Sequence, residues 1–335
     1  MKWLMLTLKK SEGKSNLIAD TLRERIAHYG NCEVRQLLNR ERYNLKDYFR
    51  KHVDTHAYDR IILHLCLKTG IEQGRFLRTI PNLVLMEYDA FENYLDYFWL
   101  HGQYSRLYRI LPWARIIVSG HVLAKKLQQE GFDAVFLPKG YDHRLLKNLR
   151  RERDIELGFV GSMEYYLYKK RKVVLEEIAR QEKLEIAKTP SGQPYMQHLN
   201  RIKFFVTANA IFGEYMLKEY EAMACGCVLL AQMHSPEETA ALGFRDMEHL
   251  VLYRDVDELR ERLAYLRSHP QSAARIAATG EKFVTENYNW DKIASQLVKQ
   301  VQAPLREKRV KRFFGIPLSY PTVTEYRAGR PHAIA

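Results

Sequence analysis

Hydrophobic and polar positions alternate between two periods from the first residues onward. The short apolar runs WLMLTL, EVRQLL, RIILHLCL, LVLMEY, ARIIVSG and AVFLP have the length and composition of strands buried in a sheet. Between them lie stretches with helical spacing over 15–29, 91–110 and 121–130, the last ended by Gly131. Alternation of this kind predicts a parallel sheet with helices on both faces. The charged stretch HRLLKNLRRERD (143–154) breaks the pattern and reads as a linker. A second series follows: ELGFVGS, a basic helix over 166–180, LEIAKT, a helix near 195–203, KFFVTAN, a helix over 214–225, CVLLAQ and HLVLYR, then helices at 256–268 and 271–300. The expected fold is α/β, with two Rossmann-like doubly wound domains facing across a cleft, over residues 1–150 and 151–300. Residues 301–335 form a tail that is expected to strap back or to face a membrane.

A length of 335 residues agrees with two domains, and 46% hydrophobic with 28% charged residues is ordinary globular composition. No apolar run approaches the roughly 18 residues of a membrane span. MKWLMLTLKK has too short an apolar core for a signal peptide and lacks a small-residue cleavage site, so a cytoplasmic protein is expected. Cys32, Cys66, Cys225 and Cys227 form neither a CxxC pair nor a disulfide framework. A net charge of +13 calls for an anionic partner: nucleic acid, a phosphorylated small molecule or an acidic membrane surface. No His/Cys cluster stands at ligand spacing, and neither a metal nor another cofactor is expected.

The segment EYEAMACGCVLL (219–230) sets a glutamate, small residues and a glycine directly before a strand. If its helix starts at 214, Glu214, Lys218, Glu221 and Cys225 share one face, opposite an apolar stripe of Met216, Tyr220, Met223 and Ala224. Ala222, Ala224 and Gly226 let that helix end approach neighbouring backbone. A carboxylate at Glu221 is able to accept both hydrogen bonds of a cis-diol such as a ribose. The plainer alternative is a solvated Glu214–Lys218 pair with Glu221 merely exposed.

FFVTAN, a short loop and then KEYEAMACGCVLLAQ resemble the nucleotide-sugar-binding segment of GT-B glycosyltransferases. The stretch 116–142, with FLPKGYD in place of a Pro-Asn-Gly-Val-Asp hinge, resembles the end of their N-terminal domain, and ELGFVGSMEYYLYKKRK (156–172) the start of their C-terminal one. The chain looks closest to the spore-maturation-type members, over residues 115–300 well and 1–115 in outline. The resemblance implies sugar transfer from a nucleotide-sugar donor, without metal, to a cell-surface glycan or lipid-linked glycan, as in lipopolysaccharide or polysaccharide biosynthesis. It gives Glu221 the ribose. Two departures stand out: Gly213 holds the place of a second Glu found in many retaining members, and Lys218 stands where the closer subset has Arg, which loses a bidentate fork. Retention against inversion is left open.

Gly161 and Ser162 follow a strand and precede a helix, where backbone N–H groups favour phosphate, and Lys170 and Arg171 add charge. TPSGQPY (189–195), with Thr189 and Ser191, is placed to hold the base. Each of these also reads as turn chemistry or a solvated helix. On the acceptor side, inversion needs a base. MEYDAFENY puts Glu87 or Asp89 at the carboxyl edge of the first sheet, and Asp89 is the expected base or else a helix cap. His121 is expected at the donor phosphate or as a cap. TLKKSEGKSN has Leu8 where a phosphate loop needs its first glycine, so Lys14 and Ser15 are read as bordering the acceptor.

Two aromatic and cationic stretches, 97–113 and 306–320, suit peripheral contact with the anionic inner face of a plasma membrane; a packed surface helix or a strap fits them equally. A nucleic-acid-binding protein would account for the charge but not for two α/β domains lacking a helix-turn-helix, zinc or RNA-binding signature. A catalytically silent scaffold fits Gly213 and Lys218.

Overall fold

The computed structural model describes residues 1–9, 25, 26, 28, 31–66, 70–164, 168–208, 213–306, 312, 313, 316 and 317. Lys14, Ser15, most of the helix expected over 15–29 and most of the tail lie outside the described residues. The chain divides into two units: Met1–Ser119, Leu123–Leu137 and Ala294 onward form the first, Gly120–Val122 and Pro138–Ile293 the second.

The first unit holds β1 (Lys2–Leu8), β2 (Asn31–Leu37), β3 (Arg60–His64), β4 (Leu83–Glu87), β5 (Arg115–Val118) and β6 (Asp133–Phe136) in the order β2-β1-β3-β4-β5-β6. Every pairing is parallel. The central strands β4 and β5 are buried at every position, as a sheet covered on both faces requires. Edge strand β2 is mostly outside the core and carries the exposed Glu33–Arg35 pair, which blunts it against further pairing.

The second unit holds β7 (Ile155–Val160), β8 (Leu184–Ala187), β9 (Ile202–Thr207), β10 (Val228–Gln232) and β11 (Val251–Tyr253), again parallel, in the order β11-β10-β9-β7-β8. The chain runs outward in both directions from its first strand, so the strand order reverses between β7 and β9. Ligands of open α/β sheets bind outside the carboxyl ends of strands at such a switch point. Two doubly wound parallel-sheet domains are what the alternation predicted.

The helices depart from expectation where distant partners intervene. The segment 91–110 is a 3₁₀ turn (Ala90–Tyr94), an irregular loop and a helix, α2, at Gln103–Arg109 that follows α1 (Leu45–His52). Gly102, at φ 69°, and the Asn93 side chain bonded to Ser105 hold the break. α3 (His121–Gln129) and α4 (Lys169–Gln181) lie close to their expected spans. α5 (Gln193–Leu199) is shorter than read because Ile202 already enters β9.

α6 (Leu217–Ala224), α7 (Pro236–Ala241) and α8 (Val256–Ser268) follow. The helix expected over 271–300 is two, α9 (Pro270–Asn287) and α10 (Trp290–Gln302). They part because Tyr141 bridges the gap, donating from its N–H to Tyr288 O at 3.0 Å and accepting from Trp290 N at 3.0 Å.

The far end of α10 belongs to the first unit. Its unpaired carbonyls and the residues after it are taken up by two arginines at strand starts. Arg115 donates to Gln300 O at 2.7 Å and Pro304 O at 2.8 Å, and Arg60 to Val301 O at 3.0 Å. Among the described residues no helix is long and apolar enough to cross a membrane.

Candidate functional site

The region around α6 starts from Glu219, whose buried carboxylate accepts from Thr207 Oγ1 at 2.7 Å and folds back onto the N–H of Met216. That capping fixes the first turn at Leu217. Glu214 therefore precedes the helix, and the expected shared face of Glu214, Lys218, Glu221 and Cys225 does not form. Glu214 is instead buried against Lys139, Oε2 to Nζ 2.9 Å, and its carboxylate lies where a Cβ on Gly120 would fall. The Glu214–Lys218 pair of the plainer reading is absent, since Glu214 is committed to Lys139.

At the other end of α6, Gly226 N donates to Met223 O at 2.9 Å and Cys227 N to Ala222 O at 3.0 Å, a Schellman stop with Gly226 at φ 80°. Cys225 is a buried cap residue whose carbonyl accepts from Arg153 at 2.6 Å.

Glu221, Lys218, Gly161 and Tyr195 meet at the carboxyl edge of the β7–β9 switch. The stem of Lys218 lies over Gly161 so closely that an added Cβ there would come within 2.7 Å of Lys218 Cε. A side chain at 161 would have to displace the end of that lysine and the Phe159 ring. Lys218 Nζ stands 4.9 Å from the centroid of the Tyr195 ring, a cation–π contact, and Tyr195 OH donates to Glu221 Oε2 at 2.7 Å. Arg171 closes the back. It is buried, with its guanidinium 4.4 Å from the Tyr168 ring centroid and 5.7 Å from that of Phe159.

Burial pushes the Glu221 carboxyl above its ordinary range, opposed by the Tyr195 hydrogen bond and the charge of Lys218. Burial likewise lowers Lys218, which Glu221 resists and Arg171 reinforces. The Glu219 carboxyl behaves differently: burial would raise it, but His234, the Met216 N–H and Thr207 outweigh burial and hold it low. Glu219 is thus a fixed anion behind the site, while Glu221 is half-buried and open to exchange its partner. One carboxylate, one lysine and a glycine turn at a strand end can take a hydroxyl-bearing group next to an anion.

The other sequence-predicted residues are placed as follows. Ser162 is half-buried beside Gly161 and its hydroxyl accepts from Glu164 N at 3.4 Å. Thr189 Oγ1 is buried with no hydrogen-bond partner among the described residues, whereas Ser191 is exposed. Lys170 is exposed on α4, next to the buried Arg171.

The backbone N–H groups of His121 and Val122, counted with the second unit, donate to the Glu238 carboxylate at 3.1 and 2.9 Å. The cap at the start of α3 is thus Glu238. Burial raises the pKa of Glu238, opposed by those two N–H groups.

In the first unit, Asp89 stands at the cap position of the 3₁₀ turn without capping it, and its Oδ2 accepts from Cys66 Sγ at 3.3 Å. Glu87 is fully buried.

Sequence reasoning missed Tyr195, Lys139 and Glu238. Tyr195 sat in view at the end of TPSGQPY, where a phenol one helical turn from a loop is a visible donor. Nothing local marked Lys139 or Glu238, because each acts on a partner more than 70 residues away.

The fold now has known counterparts. Residues 139–299 match a family model described as "Glycosyl transferase-like". No curated protein sequence matches the chain. Among solved structures, sucrose-phosphate synthase from Thermosynechococcus elongatus is 14% identical with a TM-score of 0.65, over 90% of this chain and 98% of that one. Anabaena HepE, solved with UDP-glucose, is 14% identical with a TM-score of 0.64, over 89% and 99%. The DNA-modifying enzyme β-glucosyltransferase, solved with and without uridine diphosphoglucose, is 13% identical with a TM-score of 0.58, over 90% and 99%. The two parallel-sheet α/β domains are those of the GT-B glycosyltransferase fold.

Proposed function

We propose that the protein is a glycosyltransferase that moves a sugar from a nucleotide-sugar donor, held by the second unit, to a glycan or lipid-linked glycan at an anionic membrane surface. The observation that carries this reading is Glu221 at the β7–β9 switch, half-buried, held by Tyr195 and beside Lys218 over Gly161. The match of residues 139–299 supports it, as do relatives solved with UDP-glucose.

In this reading Glu221 accepts the ribose hydroxyls, exchanging Tyr195 for one of them. Thr189, with its unsatisfied hydroxyl, and Ser191 hold the base. As the bond to the anomeric carbon breaks, negative charge grows on the leaving diphosphate oxygen. Lys218, the N–H groups of Gly161 and Ser162, and Lys170 meet that charge, with Arg171 behind them. His121 lies toward the phosphates, and Asp89 is the base that would take the acceptor proton if configuration inverts. Lys14 and Ser15 border the acceptor.

The test is thermal unfolding with a panel of nucleoside diphosphates and sugar nucleotides, on the protein and on Glu221→Ala. A cognate nucleotide at about 100 times its Kd stabilises by about 2.7 kcal/mol, and the substitution is expected to remove most of the rise. No shift at millimolar nucleotide would end the donor-site reading. Sugar transfer or donor hydrolysis separates an enzyme from a silent scaffold, and salt-sensitive retention on DNA would favour a nucleic-acid-binding protein instead.

A further inference from the structure

Tyr94–His101 forms a closed loop in the first unit whose side chains divide sharply. Leu95, Phe98 and Leu100 are buried, while Tyr97 is 74% and Trp99 69% exposed. The loop cannot turn these two rings inward without lifting its buried feet. Its neck is locked, with Gly102 N donating to Asn93 O at 2.9 Å, Asn93 Nδ2 to Ser105 Oγ at 2.7 Å and Ser105 N to Asn93 Oδ1 at 3.0 Å. Within the loop, Phe98 N donates to Leu95 O and His101 N to Phe98 O, each at 2.9 Å. Trp and Tyr are the side chains that gain from an environment apolar at one end and wet at the other.

The loop meets α3 through Tyr94, whose ring centroid lies 5.1 Å from Lys126 Nζ and whose hydroxyl donates to Glu130 at 2.6 Å. It runs directly into α2. Lys126 thus stands at the foot of the loop, and the two helices also expose Lys125, Arg106 and Arg109, the last paired with Glu130 at 3.1 Å, while Asp96 in the loop is a counter-charge. Two rigidly presented aromatics with exposed cations on the adjoining helices fit a bilayer carrying anionic headgroups, where apolar insertion and electrostatic attraction together give reversible binding.

We propose that the Tyr94–His101 loop is a membrane-docking element that places Tyr97 and Trp99 among the headgroups of an anionic bilayer. The proposal rests on the lipid-linked-acceptor reading for its purpose, but its test makes no use of the donor site.

Trp99 supplies the readout. Of the four tryptophans, Trp3, Trp113 and Trp290 are at most 1% exposed, so acrylamide quenching of the folded protein reports Trp99. Full-length protein is titrated with phosphatidylcholine vesicles with and without phosphatidylglycerol. Vesicles containing phosphatidylglycerol are expected to shield Trp99 several-fold and blue-shift its emission. Lys126→Gln is expected to weaken the response about fivefold, the worth of one basic contact at such a surface.

Vesicle sedimentation is not the readout, because the basic segment after Arg306 can itself attract anionic lipid. Trp99 equally quenchable with and without anionic vesicles overturns the proposal. So does shielding that grows with protein concentration in the absence of lipid, which would make the loop a self-association surface. Nucleotide-induced thermal shifts on the same samples keep the donor-site reading separately testable.

Discussion

On the proposed reading, donor binding turns on the ionisation of the Glu221 carboxyl, which Tyr195 holds. Burial raises the Glu221 pKa above its ordinary 4.5, and the phenol opposes that rise. Only the ionised form offers both oxygens as acceptors, so nucleotide affinity is expected to increase as pH rises through the raised pKa. Tyr195→Phe removes a hydrogen bond that favours the charged form, which moves the acid limb of the nucleotide-induced thermal shift to higher pH. Glu221→Gln is expected to flatten that limb. A limb that stays in place in Tyr195→Phe would mean that the phenol does not hold the carboxylate.

For folding itself the sign is opposite. A carboxyl whose folded pKa is raised contributes stability below its unfolded pKa and loses it as pH rises. The position of Glu221 on the helix before a strand was legible in its motif, and its hydrogen-bond partner was not, since Tyr195 lies 26 residues away on another helix.

Among the secondary-structure elements, α6 is defined by its two ends. The glycine of the Ala-Cys-Gly-Cys run was read as letting neighbouring backbone approach, whereas its close neighbours are side chains: a Cβ on Gly226 would collide with Asn148 Nδ2 and come within 2.8 Å of Arg153 Nη2. It also occupies a left-handed conformation at φ 80°, which costs a non-glycine residue about 1–3 kcal/mol before any collision. Gly226→Ala is therefore expected to lower the urea midpoint of the protein by more than that strain alone, and a midpoint within error of the parent would refute the Schellman stop.

The start of α6 was misplaced by three residues because its cap is a glutamate three positions inside the helix, anchored on Thr207 of the preceding strand. Helical spacing through 214–216 carries no trace of that anchor. Over 91–110 the apolar positions likewise satisfied a helical reading, while the Asn93–Ser105 bonds and Gly102 set a loop.

For the molecule as a whole, the first unit is not a continuous piece of chain. Residues from Ala294 return to it, with Leu297 and Val301 buried and the end of α10 held by Arg60 and Arg115. A fragment of residues 1–137 would leave both guanidinium groups without those carbonyls and open the apolar seat of α10. Such a fragment is expected to bind a hydrophobic dye and to unfold without a cooperative transition. The full-length protein is expected to unfold cooperatively, and a cooperatively folded 1–137 fragment would contradict this account.

Two doubly wound sheets were readable from the chain because burial on both faces writes a near-continuous apolar run into each strand, and the helices between them write a period of 3.6. The glycine and glutamate of the EYEAMACG motif were readable for the same local reason. Which carboxylate pairs with Lys139, what caps α3, where α9 gives way to α10 and which ring covers Lys218 were decided only by the tertiary structure. Those contacts join residues far apart in sequence, and their energy depends on burial and distance, neither of which leaves a periodic mark on the chain.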